Sequence, residues 1–144
     1  MTHPYPFLSI LAASLMAVLT TFAPARADDA ATARGVIESQ ITAFLNDDAS
    51  TAYSFAAPSI KQLYPDQTRF FDMVKRGYQP VYRPGNFAFG RSKIAADGNS
   101  VVQEVIIQGP GGQGWTALYS LERQPDGSFK IDGVQMIRAA APQT

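Results

Sequence analysis

The sequence contains no cysteine, and its only histidine, His3, lies at the extreme N-terminus. The absence of thiols excludes disulfide bonds and cysteine nucleophiles. If the N-terminal segment is removed, no imidazole remains, which also excludes a histidine general base, a Ser-His nucleophile and a zinc site of the usual type. We therefore expect neither a metal nor another cofactor, and a fold whose stability depends on packing alone.

An excess of charge of one sign is also missing, because 12 basic residues balance 12 acidic ones without a basic run. Nucleic-acid binding would need a basic surface, so we expect no nucleic-acid partner. The adjacent acidic pairs Asp28-Asp29 and Asp47-Asp48 are typical of solvated helix ends. The glycine-rich residues 109–114 lack the Lys-Ser/Thr ending of a phosphate loop, and a predicted strand follows them, so we interpret them as a hairpin loop.

One long apolar run is present, at residues 7–22, and it is followed by Ala25-Arg26-Ala27. This small-x-small pattern predicts a secretory signal cleaved after Ala27, although no Lys or Arg precedes the run. An uncleaved N-terminal anchor is the alternative. After cleavage, residues 28–144 would form a single domain in the periplasm or outside the cell, with no stable membrane insertion.

The first half of the remaining chain has helical periodicity. A helix is predicted over 28–45, with a second over 50–57 that ends at Pro58 and a third short turn over 59–64. Asp48 or Ser50 is expected to cap the second helix. Asp66 is expected to cap a helix over 67–77, with Gly77 in a left-handed cap. The apolar faces of the two longer helices comprise Ala30, Ala33, Ile37, Ile41 and Phe44, and Phe70, Phe71, Val74 and Tyr78.

The second half has the character of strands. Pro80, Pro84 and Gly85 oppose a helix after Gly77. Strands are predicted over 86–95, 101–108, 115–123 and 128–138, separated by turns at 97–99 and 125–127 and by the loop at 109–114. Helices followed by hairpin-connected strands predict an α+β fold, with N-terminal helices packed on a curved antiparallel sheet.

The chain resembles the nuclear-transport-factor-2-like superfamily, whose members form a cystatin-like α+β roll. The resemblance covers residues 28–140 and depends on the segments "ITAFLNDD", "TAYSFAAP", "FFDMV", "GYQPVYRP" and "FKIDGVQMI". Within that superfamily the chain is similar to the family of domain of unknown function 4864. The resemblance implies that the first helix crosses the concave face of the sheet and that the chain turns sharply at residues 46–48. It implies no activity, because such rolls host isomerases, dehydratases and plain binding proteins.

Tyrosines and a tryptophan with a few amides suggest a pocket with aromatic walls and polar tips for a small apolar or aromatic ligand. The first functional hypothesis is therefore an exported, non-catalytic ligand-binding or accessory domain, without assigned catalytic residues. The candidate pocket residues are Tyr53, Phe70, Tyr78, Gln103, Trp115, Tyr119 and Gln135. Of these, Trp115, Tyr119 and Gln103 are expected to share the concave face of the sheet with Gln135.

Two alternatives remain open. An isomerase or dehydratase would need a carboxylate beside a tyrosine, and Glu104 with Tyr119 is the pair to test; otherwise Glu104 points outward and pairs with a cation such as Arg91 or Lys93. A homodimeric interaction module would pair through the sheet, because the second predicted strand is apolar on both faces, with Val101, Val105 and Ile107 on one and Val102 and Ile106 on the other.

Overall fold

A computed structural model describes residues 25–140, with side chains from Asp28 onward. Within that range the helices precede the strands, and the sheet is antiparallel, open and curved, with strand order β1-β2-β3-β4. The predicted α+β class is therefore confirmed. The predicted signal, residues 1–27, lies almost wholly outside the described residues. No helix of the described part is long and apolar enough to span a membrane. The helices are α1 (Ala25–Leu45), α2 (Ala49–Ser54), α3 (Pro58–Leu63), α4 (Gln67–Gly77) and α5 (Gln79–Tyr82), and the strands are β1 (Asn86–Ile94), β2 (Ser100–Gln108), β3 (Gly114–Arg123) and β4 (Phe129–Arg138).

The core forms where α1 crosses the inner face of the sheet and contacts β1, β2 and β4. The apolar face predicted for the first helix is confirmed, since each of its five residues is buried. The sheet alternates as expected: Val101, Val105 and Ile107 are buried, whereas Val102 and Ile106 are on the outer face. Burial of these side chains stabilises the fold by about 1.5–3 kcal/mol for each large aliphatic residue.

The elbow between α1 and α2 depends on Asp47 and Asp48. Asp47 adopts a left-handed backbone conformation with φ of 52°, which a short polar residue tolerates better than most. Asp48 caps α2, because its Oδ1 accepts a hydrogen bond from the Thr51 amide at 3.1 Å. The choice left open between Asp48 and Ser50 is therefore decided in favour of Asp48.

The second helix ends earlier than predicted, at Ser54, and Pro58 begins the next helix instead of ending this one. The reason is a short extended segment along the edge of β4. The Ile131 amide donates to the Phe55 carbonyl at 2.8 Å, and the Ala57 amide donates to the Ile131 carbonyl at 2.8 Å. These edge bonds replace the last helical turn and cover part of the exposed edge.

Two expectations around Gly77 are wrong. Gly77 is the last residue of α4 and does not have a positive φ, because Tyr78 ends the helix with an extended φ of −136°. The chain then forms the one-turn helix α5, which the prolines were expected to prevent. Pro80 lies in the first turn of α5, where a missing amide hydrogen costs no intrahelical bond.

Candidate functional site

A mainly apolar pocket lies between the helices and β4, with a volume of about 190 Å³. An apolar cavity of about 150 Å³ in another protein is large enough for benzene. The pocket is partly open, and Leu63, 72% exposed, is at its open side. Its lining residues are Gln40, Phe44, Ala56, Ile60, Leu63, Tyr64, Phe70, Met73, Val74, Tyr78, Val81, Ile131, Gly133 and Val134.

The helix α4 supplies one wall because its apolar residues recur on one side. The Asp66 side chain caps this helix by accepting a hydrogen bond from the Arg69 amide at 2.8 Å. Phe70 and Val74 are buried on the same face and line the pocket. The cap therefore fixes where the helix starts and which side chains reach the pocket.

An aromatic cluster supports that wall from α1. The Phe44 ring lies 6.3 Å from the Phe70 ring and 6.0 Å from the Phe71 ring, centroid to centroid. Phe71 meets Tyr82 edge-to-face at 5.6 Å. Such pairs contribute about 0.5–1.5 kcal/mol each beyond their burial, so this side of the pocket is well packed.

Tyr53 supports the pocket without lining it. Its ring centroid lies 5.4 Å from that of Phe70. Its hydroxyl donates a 2.6 Å hydrogen bond to the carbonyl oxygen of Tyr64, the residue that ends α3. Tyr53 therefore ties α3, which carries the open side of the pocket, to the aromatic wall.

The polar part of the lining is small and uncharged. Apart from two tyrosines it is the amide of Gln40, a residue only 3% exposed. The Gln40 Nε2 donates to the Ala52 carbonyl oxygen at 3.2 Å. The lining contains no Asp, Glu, Lys or Arg side chain. The pocket therefore suits an apolar ligand that forms few hydrogen bonds.

Phe70 and Tyr78, of the seven candidate pocket residues, line this pocket, and Tyr53 contacts its wall. Gln103 is buried elsewhere, on β2, where it pairs with Ser92 beside the bulge of β1 between Phe89 and Ser92. Its Nε2 donates to the carbonyl oxygens of Gly90 and Arg91, at 3.2 and 3.3 Å. Its Oε1 accepts a hydrogen bond from the Ser92 hydroxyl. Gln103 therefore stabilises an irregular strand, and both ends of its amide are already bonded.

Trp115, Tyr119 and Gln135 also lie away from this pocket. Trp115 is half-buried at the start of β3, with the Arg138 guanidinium 5.7 Å from its ring. Gln135 is exposed and pairs with Leu118, whereas Tyr119 pairs with Val134. Gln135 and Leu118 therefore lie on the face of the sheet opposite to Tyr119. The expectation that Gln135 shares the inner face with Tyr119 is wrong, because side chains alternate between the two faces of a strand.

Tyr119 is fully buried in the core, and its hydroxyl has no hydrogen-bond partner among the described residues. Burial raises the pKa of this phenol far above its usual range. A phenol that remains protonated in an apolar core is a poor proton acceptor.

The pair needed for the enzyme hypothesis is not formed. Glu104 lies on the outer face, opposite Leu118, whereas Tyr119 points into the core. The Glu104 carboxylate accepts a 3.0 Å hydrogen bond from the Arg91 amide and forms an ion pair with the Arg91 guanidinium at 3.4 Å. These interactions, the amide bond foremost, lower the pKa of Glu104. The alternative interpretation of Glu104, as an outward residue paired with Arg91, is confirmed.

A polar cluster of Asp47, Tyr82 and Arg83 lies at the turn between α1 and α2. Asp47 accepts hydrogen bonds from the Tyr82 hydroxyl and from the Arg83 Nη2, the latter at 2.8 Å. The Tyr82 bond contributes most to lowering the pKa of Asp47, and the same bond raises the pKa of Tyr82. Arg83 also donates to the Phe44 carbonyl oxygen. The cluster therefore attaches α5 to the end of α1.

Asp132 was not singled out from the sequence, although its environment is unusual. It is the extra residue of a bulge in β4, since Ser120 pairs with Gly133 and Leu121 with Ile131. Its Oδ1 is buried without a partner in the described part of the chain. Desolvation, with a smaller contribution from Glu122, raises the pKa of Asp132. A bulge cannot be located from residue types alone, so no feature of the sequence points to Asp132.

Gln40 was also missed, and here a signal exists. It falls on the buried face of α1, between Ile37 and Phe44, where an amide interrupts an otherwise apolar stripe. A polar residue at a core position needs a partner and is therefore informative.

The described residues contain no cluster of three or more acidic, histidine or cysteine side chains suited to bind a metal ion.

Comparison with known families gives one match over most of the chain. Residues 26–144 match the model of a domain of unknown function, DUF4864. No curated protein and no solved structure matches the chain.

Proposed function

We propose that this chain, which belongs to the DUF4864 family, is an exported accessory domain that binds a small apolar molecule without transforming it. The single observation that carries the proposal is the pocket between α1, α3, α4 and β4. Its apolar lining and its volume of about 190 Å³ suit a ligand of the size of a substituted benzene.

The composition of the lining favours binding over catalysis. Proton transfer requires a group that can exchange a proton near neutral pH. The lining contains no carboxylate, histidine or lysine side chain that could serve as such a group. The carboxylates with shifted pKa values, such as Glu104 and Asp132, are not part of the lining.

The exported location is proposed from the sequence, through the apolar run at 7–22 and the cleavage pattern ending at Ala27. A mature protein that begins at Asp28, determined by intact mass after expression with the native N-terminus, supports export. Retention of the full-length chain in the membrane fraction supports the uncleaved anchor instead.

The placement in the nuclear-transport-factor-2-like superfamily also remains a proposal. It is supported by the long helix α1 crossing one face of a four-stranded antiparallel sheet and by short helices that close one end. Such rolls provide an enclosed space between helix and sheet, which is where the pocket lies.

Binding is tested by isothermal titration calorimetry of residues 28–144 with toluene. We expect one site with a Kd on the order of 0.1–1 mM, a modest affinity for so few ligand atoms. Val134→Phe, which places a larger side chain in the lining of the pocket, should abolish binding. The matched control Val102→Phe adds the same volume on the outer face and should leave binding unchanged. Absence of toluene binding to the wild type, or equal loss in both variants, would contradict the proposal.

A second candidate function is a homodimeric interaction module, favoured by the outer face of the sheet. Val102, Ile106 and Ile137 are 38%, 54% and 43% exposed on that face. Ile106 and Ile137 are both aligned with Thr116 in the strand register, so they lie in one row. A sheet face in contact with water normally carries polar residues there, and a second copy of the chain would cover this apolar row.

A further inference from the structure

We infer that the ligand of the pocket is an uncharged molecule whose single hydrogen-bond donor, a hydroxyl or an N–H group, bonds to Oε1 of Gln40. This inference rests on the proposed function and specifies the chemical class of the ligand. Small phenols and alcohols with an apolar body belong to that class.

The orientation of the Gln40 amide follows from its partner. The Ala52 carbonyl oxygen can only accept hydrogen bonds, so the amide nitrogen of Gln40 must face it, at 3.2 Å. The amide oxygen then points away from Ala52. The amide is planar, and therefore the position of Nε2 also fixes that of Oε1.

The Gln40 oxygen lacks a donor. Within residues 28–140 no hydrogen bond reaches Oε1, yet the residue is 3% exposed. Among the described residues, the enclosed side-chain atoms without a partner are the Tyr119 hydroxyl and Oδ1 of Asp132, so Oε1 of Gln40 retains some exposure. Gln40 lines the pocket, which is thus the space through which this oxygen remains accessible. Buried acceptors are nearly always paired, so a donor supplied by the ligand would complete the amide.

Because the lining carries no charged side chain, we expect an uncharged ligand. Burying an ionised carboxylate or ammonium group without a countercharge is far more costly than burying a hydroxyl. The lining offers no arginine or lysine for an anion and no carboxylate for a cation. Benzoate and anilinium-type ions should therefore be excluded, whereas a neutral donor finds its acceptor in Gln40.

The test compares phenol with toluene, which have nearly the same shape and differ in one hydroxyl. Their Kd values are measured by calorimetry at pH 7 for the wild type and for Gln40→Met, which keeps the length of the side chain and removes the acceptor. We expect the substitution to weaken phenol binding about tenfold relative to toluene binding, the effect of one hydrogen bond. An equal change for the two ligands would overturn the inference, as would wild-type binding of benzoate as tight as that of phenol.

Because Gln40→Met also removes the bond to Ala52 and can loosen α2, a measurement on the wild type accompanies it. In ¹H–¹⁵N spectra, phenol should shift the side-chain amide signals of Gln40 clearly more than toluene does. Equal shifts with both ligands would count against the hydrogen bond. If toluene binds but Gln40→Met changes the Kd of phenol and of toluene equally, only this inference is overturned. If neither ligand binds the wild type, the proposed function is overturned together with the inference.

Discussion

At the scale of single residues, two buried polar atoms have no partner among residues 28–140: the Tyr119 hydroxyl and Oδ1 of Asp132. A buried hydroxyl that forms no hydrogen bond loses its hydration without compensation, at a cost of about 1–3 kcal/mol. Both atoms lie outside the lining of the apolar pocket, so binding in that pocket does not explain their cost.

The Tyr119→Phe substitution should therefore stabilise the protein, by about 0.5–2 kcal/mol in the free energy of unfolding, because it removes only the unpaired hydroxyl. Urea unfolding at pH 7 measures the change. The matched control is Tyr53→Phe, which deletes a hydroxyl bonded to the Tyr64 carbonyl at 2.6 Å and should cost about 1 kcal/mol. Equal losses in the two variants would mean that the Tyr119 hydroxyl has a partner.

Asp132 provides a prediction with a pH dependence. Burial, aided by Glu122, raises the pKa of Asp132 in the folded state above the unfolded value of about 3.9. The native state therefore holds more protons between these two pKa values, and stability falls as the pH rises through that interval. Asp132→Asn removes this penalty and should raise the urea midpoint slightly at pH 7 but not at about pH 3.

The control is Asp126→Asn, for which the expected change in the urea midpoint at pH 7 has the opposite sign. Hydrogen bonds from Ser128, its side chain first, lower the pKa of Asp126 in the folded state. The stabilisation from Asp126 is therefore present above the unfolded pKa and is lost as the pH falls through the folded one. Asp126→Asn should lower the urea midpoint at pH 7. A decrease in midpoint for both variants would refute the assignment for Asp132.

The positions of candidate residues on a helix follow from local periodicity, whereas those on a strand depend on register. Phe70 and Tyr78 follow from the periodicity of one helix and line the pocket. Gln135 depends on the register of β4, and the bulge at residue 132 moves it to the outer face. Gln103 does lie on the inner face of β2, but its side chain bonds to the backbone of the β1 bulge and does not reach the pocket. A bulge changes which side chains face the core, and residue types alone do not locate it.

At the scale of elements, the boundaries depend on local hydrogen bonds that compete with helix propagation. Asp66 was correctly expected to begin α4, because a short side chain before an apolar helix is a strong cap signal. The end of α2 was not foreseen, since it is set by bonds to Ile131, a residue far along the chain. Local signals thus predict helix starts better than ends determined by tertiary contacts.

Removing the α4 cap should weaken the whole wall of the pocket. Asp66→Ala leaves the Arg69 amide without its acceptor and should lower the free energy of unfolding by about 1 kcal/mol. Asp66→Asn keeps a capping oxygen and should cost only a few tenths of that. Thermal unfolding of both variants makes the comparison. Equal destabilisation would show that charge, through the exposed ion pair with Arg69, matters more than capping.

At the scale of the whole molecule, the sheet has one face in the core and an outer face on which Val102, Ile106 and Ile137 are exposed without a cover within the described chain. The sequence predicted this property of β2 from its two-sided apolar pattern, and the burial of Val101 against the exposure of Ile106 confirms the pattern. Pairing with a second copy remains a proposal, because a pattern of exposure does not name the partner.

Sedimentation velocity of residues 28–144 tests this pairing. We expect a dimer for the wild type at micromolar concentration and a monomer for Ile106→Lys, because a charge placed in the apolar row would have to be buried in the interface. Leu45→Lys, at a residue of similar exposure that ends α1, is the control and should remain dimeric. A wild type that stays monomeric at about 100 µM would refute the dimer.

The pocket is the central claim for the molecule as a whole, and methyl NMR during a toluene titration tests it most directly. We expect saturable shifts in the methyl signals of Ile60, Val74, Ile131 and Val134, which line the pocket, and none in those of Val102, Ile106 and Ile137 on the outer face. Shifts confined to the outer-face methyl groups, or no saturable shift at all, would contradict the account.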